Sequence, residues 1–302
     1  AVALQQHRPA IDRDRQVQRA VGRGPPAHEF LHDVRLVLLR IGDHVGALAL
    51  GVGHPVAQSL GLGTVAEIAR GEQHVSHHEG GDERRELAEE VAATLGGEQV
   101  ARAWRADVSS AADTKNMFDA AERLFGPLDI LVNNAGVGHK PQPLEALDEI
   151  DFERIYQVNM KSIWLAMREV VPRFKAREKG RLGIRGVVLN MASTAGVSPR
   201  PRLAWYNASK GWVITATRAT AVELAPHGIR VNALNPVAGD TPLLATFMGE
   251  DTPEMRAKFL STIPIGRFST PEDLGNAACF LCSDEASMIT GVCMEVDGGR
   301  CI

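Results

Sequence analysis

The stretch "LDILVNNAG", residues 128–136, gathers Leu128, Ile130, Leu131 and Val132 into a short apolar run and then breaks into Asn, Asn, Ala and Gly. Such a run reads as a strand buried on both faces that ends in a tight turn. The pattern alternates on either side of it. Upstream, "RRELAEEVAATLG" is an amphipathic helix stopped by Gly, "QVARAWRADV" a strand, and "SAADTKNMFDAAERLFG" a helix with a Ser- and Asp-rich start. Downstream lie the long helix "DFERIYQVNMKSIWLAMREVVPRFKAR", which Pro172 is expected to bend or loosen, and the strand "GVVLNMAS". The helix "YNASKGWVITATRATAVELAPHG" and the strand "IRVNALNP" follow. A helix "PEDLGNAACFLCS", capped by Thr270 and Pro271, and a last strand "VCMEVDGG" complete the series. Continuous apolar strands alternating with helices predict an α/β fold, a doubly wound parallel sheet covered on both faces. Ligands of such sheets bind at the carboxyl ends of the strands. "NNAG", "NMAS" and "NPVAGDT" all fall there.

The chain has 302 residues, is 44% hydrophobic and carries a net charge of −4 with both signs mixed. That balance gives no basic footprint for nucleic acid and no polybasic membrane patch. No run approaches the ~18 apolar residues of a membrane span. The charged N-terminus lacks a signal-peptide pattern, so the cytoplasm is the expected compartment. The four cysteines are Cys279, Cys282, Cys293 and Cys301. The first two form a C-x-x-C inside an apolar helix without a second ligand pair, so buried, unreactive thiols are expected and no metal site.

Residues 1–80 differ from the rest. They contain no Lys, Asn, Tyr, Trp, Cys or Met, and they hold eight of the ten histidines: His7, His28, His32, His44, His54, His74, His77 and His78. No helix or strand period runs cleanly through them. The sequence therefore divides into an atypical segment 1–80 and a catalytic domain 81–302. The segment reads either as a genuine His-rich extension or as the product of a wrong start or reading frame, the second being favoured.

Tyr206 and Lys210, in "AWYNASKG" (residues 204–211), stand one helical turn apart on one face. A phenol titrates near ~10, and a neighbouring ammonium can bring it down far enough to exchange a proton with an alcohol or carbonyl oxygen. Ser193 ends the preceding strand and could orient that oxygen. Taken singly, each feature has an ordinary structural explanation: Y-x-x-x-K is common, Ser193 could cap a turn, and "NNAG" could be a turn and nothing more.

Together they resemble the classical short-chain dehydrogenase/reductase family. The matching pieces are "ADV" (106–108), "NNAG" (133–136), "VNMKS" (158–162), "NMASTAG" (190–196), "YNASK" (206–210) and "NPVAGDT" (235–241), in order over about residues 82–302. The resemblance implies a Rossmann-like single domain and hydride transfer between NAD or NADP and a small alcohol or ketone. It implies that Tyr206 is the general acid/base. Lys210 lowers its pKa and holds the nicotinamide ribose, and Ser193 bonds the reacting oxygen. Asn159 disturbs the long helix and anchors a water of the proton relay. Asp107 and Val108 edge the adenine; Asn134, Ala135 and Gly136 line the cofactor cleft; Thr241 meets the nicotinamide carboxamide. Bacterial 3-oxoacyl-carrier-protein reductase-like and glucose-dehydrogenase-like members are the nearest in wording. A homotetramer or homodimer is implied, with the Tyr-bearing helix at the contact.

The family's T-G-x-x-x-G-x-G turn, which brings backbone amides to the pyrophosphate, has no counterpart here. "GVG" (51–53) and "GLG" (61–63) are the nearest candidates and neither is convincing. The first strand–helix–strand unit is thus expected to be replaced, by residues within 41–80, or disrupted. In the disrupted case the chain would be a non-catalytic oligomerising protein. Val237, where many relatives carry Gly, is tolerable in the extended backbone after Pro236. The stretch 241–266 is expected to form an apolar lid over a small to medium, not strongly anionic, substrate.

Overall fold

The computed structural model describes residues 34–39, 45–52, 88–94, 101–180, 182–239, 242–248 and 252–302. Seven strands form one sheet in the order β3-β2-β1-β4-β5-β6-β7. They are β1 (Val34–Leu39), β2 (Val45–Val52), β3 (Ala101–Ala106), β4 (Ile130–Asn133), β5 (Gly186–Met191), β6 (Ile229–Pro236) and β7 (Cys293–Val296). From β1 through β4, β5 and β6 to β7 every pairing is parallel.

The first strands depart from that rule. β1 and β2 pair antiparallel, Leu36 opposite Leu50, and β2 pairs antiparallel with β3, Ala47 opposite Trp104. The atypical segment therefore does replace the missing unit, as an antiparallel ribbon rather than a strand–helix–strand. It begins at Val34, ahead of the expected residues 41–80. The physical need is the one that missing strands create: β3 and β4 would otherwise present unpaired N–H and C=O groups. The doubly wound parallel sheet expected from the sequence thus runs from β1 to β7, and the atypical segment adds an antiparallel edge to it. Of the glycine-rich candidates, Gly51 lies within β2 opposite Arg35 and is no phosphate turn. Gly53, residues 61–63 and the eight N-terminal histidines lie outside the described residues.

Two-residue periodicity sorts the core into the layers of a doubly wound fold. In β4, Ile130 and Val132 face one side with Val187, Leu189, Leu234 and Leu281. Residues 88–94, α1, add Val91 and Ala92 to that layer. Leu131, between them, faces the other side with Phe118, Val170, Phe174, Val188, Leu224 and Val231. That second layer is built by α2 (Ala111–Phe125), α4 (Ser162–Ala176) and α5 (Ala204–Leu224). α8 (Pro271–Cys282) covers the first, started by a capping box in which Thr270 and Asp273 satisfy each other's backbone N–H.

The long helix is interrupted, though not where its proline suggested. α3 (Glu149–Tyr156) passes through a π-turn, Gln157–Lys161, before α4, and α4 continues through Pro172. One side chain inside the π-turn, Asn159, is fully buried and bonds away from the helix. Such inserted turns concentrate at functional sites. The expected lid resolves into two short helices, α6 (Pro242–Met248) and α7 (Pro253–Leu260).

Candidate active site

The carboxyl ends of β4 and β5 are stitched by side chains. Asn133 and Asn190 are in register. Asn133 Nδ2 donates to Asn190 Oδ1 (2.8 Å), and Asn190 Nδ2 donates to Thr217 Oγ1 of α5 (2.9 Å). All three residues are buried, so the pairs are satisfied where water cannot help. This chain fixes α5 against the sheet.

Just beyond β5 the backbone turns through residues 194–196, and Ser193 caps the turn by accepting from Ala195 N at 3.1 Å. The turn presses onto α5. A Cβ at Gly196 would sit 2.7 Å from the carbonyl carbon of Lys210, a distance real side chains do not tolerate. The bare backbone of Gly196 is what lets Ser193 meet the first turns of α5. Tyr206 and Lys210 both point inward, 4% and 5% exposed. The Ser193 side chain lies close enough to Tyr206 to lower its phenol pKa. The ring of Phe247, from α6, covers Tyr206 with centroids 4.7 Å apart.

Asn159 is held on three sides. Its Oδ1 accepts from Val137 N (2.8 Å), while Nδ2 donates to Val137 O (2.9 Å) and to Ser209 Oγ (2.9 Å). Ser209 Oγ in turn donates to the carbonyl of Tyr206 at 2.7 Å. The π-turn thus connects the loop after β4 to the helix that carries the tyrosine. This is the helix disturbance expected of Asn159, and Ser209 is the partner that reading the sequence missed.

Burial dominates the electrostatics of the tyrosine. It drives the Tyr206 phenol above its usual value, opposed by the Ser193 side chain and the positive charge of Arg200. Lys210 is buried on the same helix face. Its Nζ lies 6.0 Å from the Tyr206 ring centre and donates to the carbonyl of Met191 at 2.9 Å. Lys210 is itself brought down to about 8 by burial.

The remaining expected residues fall along the same rim. Val108 and Ala135 are buried together against Val158 and Val137. Asp107 is exposed, and its Oδ1 accepts from both Ser109 N (2.9 Å) and Ser109 Oγ (2.7 Å). Asn134 and Gly136 are half-buried. Thr241 lies outside the described residues. Two features test the fit of a dinucleotide. A Cβ at Gly136 would come within 3.1 Å of Lys210 Nζ, so the glycine keeps a space open beside the ammonium. That ammonium has three donors and one hydrogen-bonded acceptor, leaving two N–H groups for ribose hydroxyls. Lys210 and Gly136 therefore fit the ribose end of a nicotinamide cofactor.

A family model described as enoyl-(acyl carrier protein) reductase matches residues 56–300. The chain belongs to the short-chain dehydrogenase/reductase family. As a member it is an NAD(P)-dependent oxidoreductase. It is 48% identical over 195 residues to the 4-formylbenzenesulfonate dehydrogenase of Comamonas testosteroni, covering 64% of this chain and 75% of that protein. It is 39% identical over 216 residues to 2-(S)-hydroxypropyl-CoM dehydrogenase 3 of Xanthobacter autotrophicus, covering 70% and 82%. Among solved structures, 3-ketoacyl-(acyl-carrier-protein) reductase from Brucella melitensis, complexed with NADH, superposes with a TM-score of 0.64 at 49% identity, covering 72% of this chain and 85% of that one.

The cysteines complete the inventory. Cys293 is buried and Cys282 and Cys301 are half-buried, but Cys279 is exposed, against the expectation of burial. The i,i+3 spacing turns Cys282 toward the core layer under α8 and leaves Cys279 on the rim of that face. Burial raises the Cys282 thiol to about 12. Among the described residues no group of three or more His, Cys, Asp or Glu side chains could hold a metal, and no helix is long and apolar enough to cross a membrane.

Proposed function

We propose that this oxidoreductase interconverts a small-molecule alcohol and its ketone or aldehyde, with Tyr206 as the general acid/base. The observation that carries the reading is the junction of Tyr206, Ser193 and Lys210, all buried where β5 meets α5. The names of the relatives, dehydrogenases and a ketoacyl reductase, support the same substrate class. Bound NAD or NADP supplies the hydride acceptor or donor.

In the oxidation direction the Ser193 hydroxyl orients the alcohol oxygen and the Tyr206 phenolate takes its O–H proton. A bound NAD(P) would take up the hydride from the carbon bearing that oxygen, and in reduction Tyr206 would return the proton to the oxygen. Lys210 holds the ribose through its two remaining N–H groups. Asn159 fixes Val137 and Ser209, and so the distance between the cofactor loop and α5, and anchors the water of the relay. Asp107 and Val108 edge the adenine, Asn134, Ala135 and Gly136 line the cleft, and Thr241 meets the carboxamide. We assign the working domain to residues 81–302, with 1–80 an atypical segment that contributes the ribbon. The exposed Phe152, Trp164 and Val222 on α3, α4 and α5 suit a homodimer or homotetramer, and four free thiols suit the cytoplasm.

Tyr206→Phe tests the reading. Turnover of alcohol with either cofactor is expected to fall by about a thousandfold, the scale of a lost acid/base, with cofactor affinity retained. Undiminished turnover would remove Tyr206 from the mechanism.

A further inference from the structure

The loop that follows β4 carries a histidine that the reaction as described does not use. His139 is 4% exposed. Its Nδ1 lies 2.9 Å from the carbonyl of Lys140, and a carbonyl only accepts, so Nδ1 carries the hydrogen. In the neutral ring that leaves a lone pair on Nε2. Nε2 is shut off from bulk water and has no hydrogen-bond partner among the described residues. A buried acceptor in that state is costly, and folded proteins normally satisfy it. The loop that carries the ring is pinned on both sides. Arg154 Nη2 donates to the carbonyl of Gly138 (3.2 Å). Gln142 N donates to the carbonyl of Arg202 (3.0 Å), which ties the loop to the approach to α5.

His139 lines a cavity of about 90 Å³ between these two segments, walled mainly by Pro143, Leu144, Leu147, Ala204 and Trp205. That is room for a few waters or for the polar end of a small organic molecule. Apolar walls with a single placed polar group are the usual make-up of a small-molecule site. The lone pair on Nε2 repels an anion, and no acid lines the cavity to pair with a cation. Arg202, which also lines it, is exposed to solvent. The complementary group is therefore a neutral donor such as an alcohol O–H. One contact joins this place to the reaction centre. Gly138, the residue before His139, lies against the Phe247 ring, where a Cβ would come within 2.5 Å of Cε1. The same ring packs on Tyr206, with centroids 4.7 Å apart.

We propose that this cavity is a second pocket for the substrate, and that His139 Nε2 accepts a hydrogen bond from a hydroxyl group seated in it. The substrate is then an uncharged alcohol or carbonyl compound with a second hydroxyl away from its reacting carbon. This rests on the reading of Tyr206 as the acid/base. His139 is the specificity residue. A compound without the second hydroxyl leaves Nε2 buried and unpaired, and a site built to bond a hydroxyl rejects the analogue that lacks it.

The test compares 1,4-butanediol with 1-butanol, and 1,6-hexanediol with 1-hexanol, as substrates of the 302-residue chain with NAD and NADP. At one chain length or both, the wild type should favour the diol by about tenfold or more in kcat/KM. His139→Phe keeps a ring in the cavity wall and should erase that preference. His139→Gln, whose amide oxygen can accept near the place of Nε2, should restore part of it. Calorimetric titration of the unmodified chain with the same compounds needs neither turnover nor a variant. The preferred diol should bind about tenfold more tightly than its matched alcohol, in Tyr206→Phe as well. Equal kcat/KM for diol and alcohol at both lengths, a preference unchanged in His139→Phe, or equal binding of each pair would overturn the proposal. Diol-selective binding without oxidation of any of the four compounds would uphold the pocket and count against the acid/base reading. Oxidation of all four without preference would do the reverse.

Discussion

The two sides of the sheet solve the same packing problem differently. From β1 to β7 the strands are parallel, and the core packs α1, α2, α4, α5 and α8 against them in two layers. From β1 to β3 the strands alternate direction, and β1 and β2 are linked by only residues 40–44. The comparison separates two roles that a parallel α/β sheet usually combines. Any strand with the right reach can satisfy the ladder of β4, because backbone pairing is indifferent to the crossover that delivers the strand. The chemistry is less tolerant. Ser193, Tyr206, Lys210 and Asn159 all belong to elements that follow β4, and their geometry is fixed by Asn133, Asn190, Thr217 and Gly196 on the same side.

Substitutions can break or sharpen that contrast. Leu131→Ala, in the middle of the parallel side and fully buried, should cost about 3 kcal/mol by chemical denaturation, within the usual range for a large-to-small core change. Val37→Pro removes a backbone N–H from β1, which is paired on both sides, opposite Ala49 and Leu131. A loss of about 2 kcal/mol is expected from the unsatisfied ladder, and an unchanged denaturation midpoint would mean that the ribbon does not support the sheet.

Lys210 offers a test on the chemical side. It titrates at about 8, so its ammonium is intact below that pH and lost above it. Cofactor affinity should therefore weaken by about tenfold from pH 7 to pH 9, one pKa unit past the midpoint, and a flat profile would deny the ammonium a part in binding. Smallest of all, Thr270→Ala removes the cap of α8 and should cost about 1 kcal/mol with little change in turnover.

Most of the parallel side was legible in the sequence. β6 has the bounds its apolar run predicts, and α8 begins at its Thr-Pro cap, because short-range pattern and local hydrogen bonding decide both. α5 starts two residues before Tyr206, an ordinary slippage at a helix end. The ribbon was not legible. Residues 34–52 lie in a segment without a clean period, and strand direction is set by which partner lacks a ladder, a tertiary fact. Pro172 does not interrupt the long helix; the break falls at Asn159, where the family resemblance put a disturbance, but its partners Val137 and Ser209 were not legible because they are brought to it by the fold. The site residues were recognisable as a constellation. What the constellation did not contain was Arg200, whose position depends on two rings of the lid helices, nor the fact that burial raises Tyr206.

Titration of the 302-residue chain with NAD(H) and NADP(H) bears most directly on the claim that a working cofactor site coexists with the antiparallel ribbon. Saturable binding of at least one dinucleotide is predicted, retained in Tyr206→Phe and weakened in Lys210→Met. No saturable binding of either at millimolar concentration would contradict it.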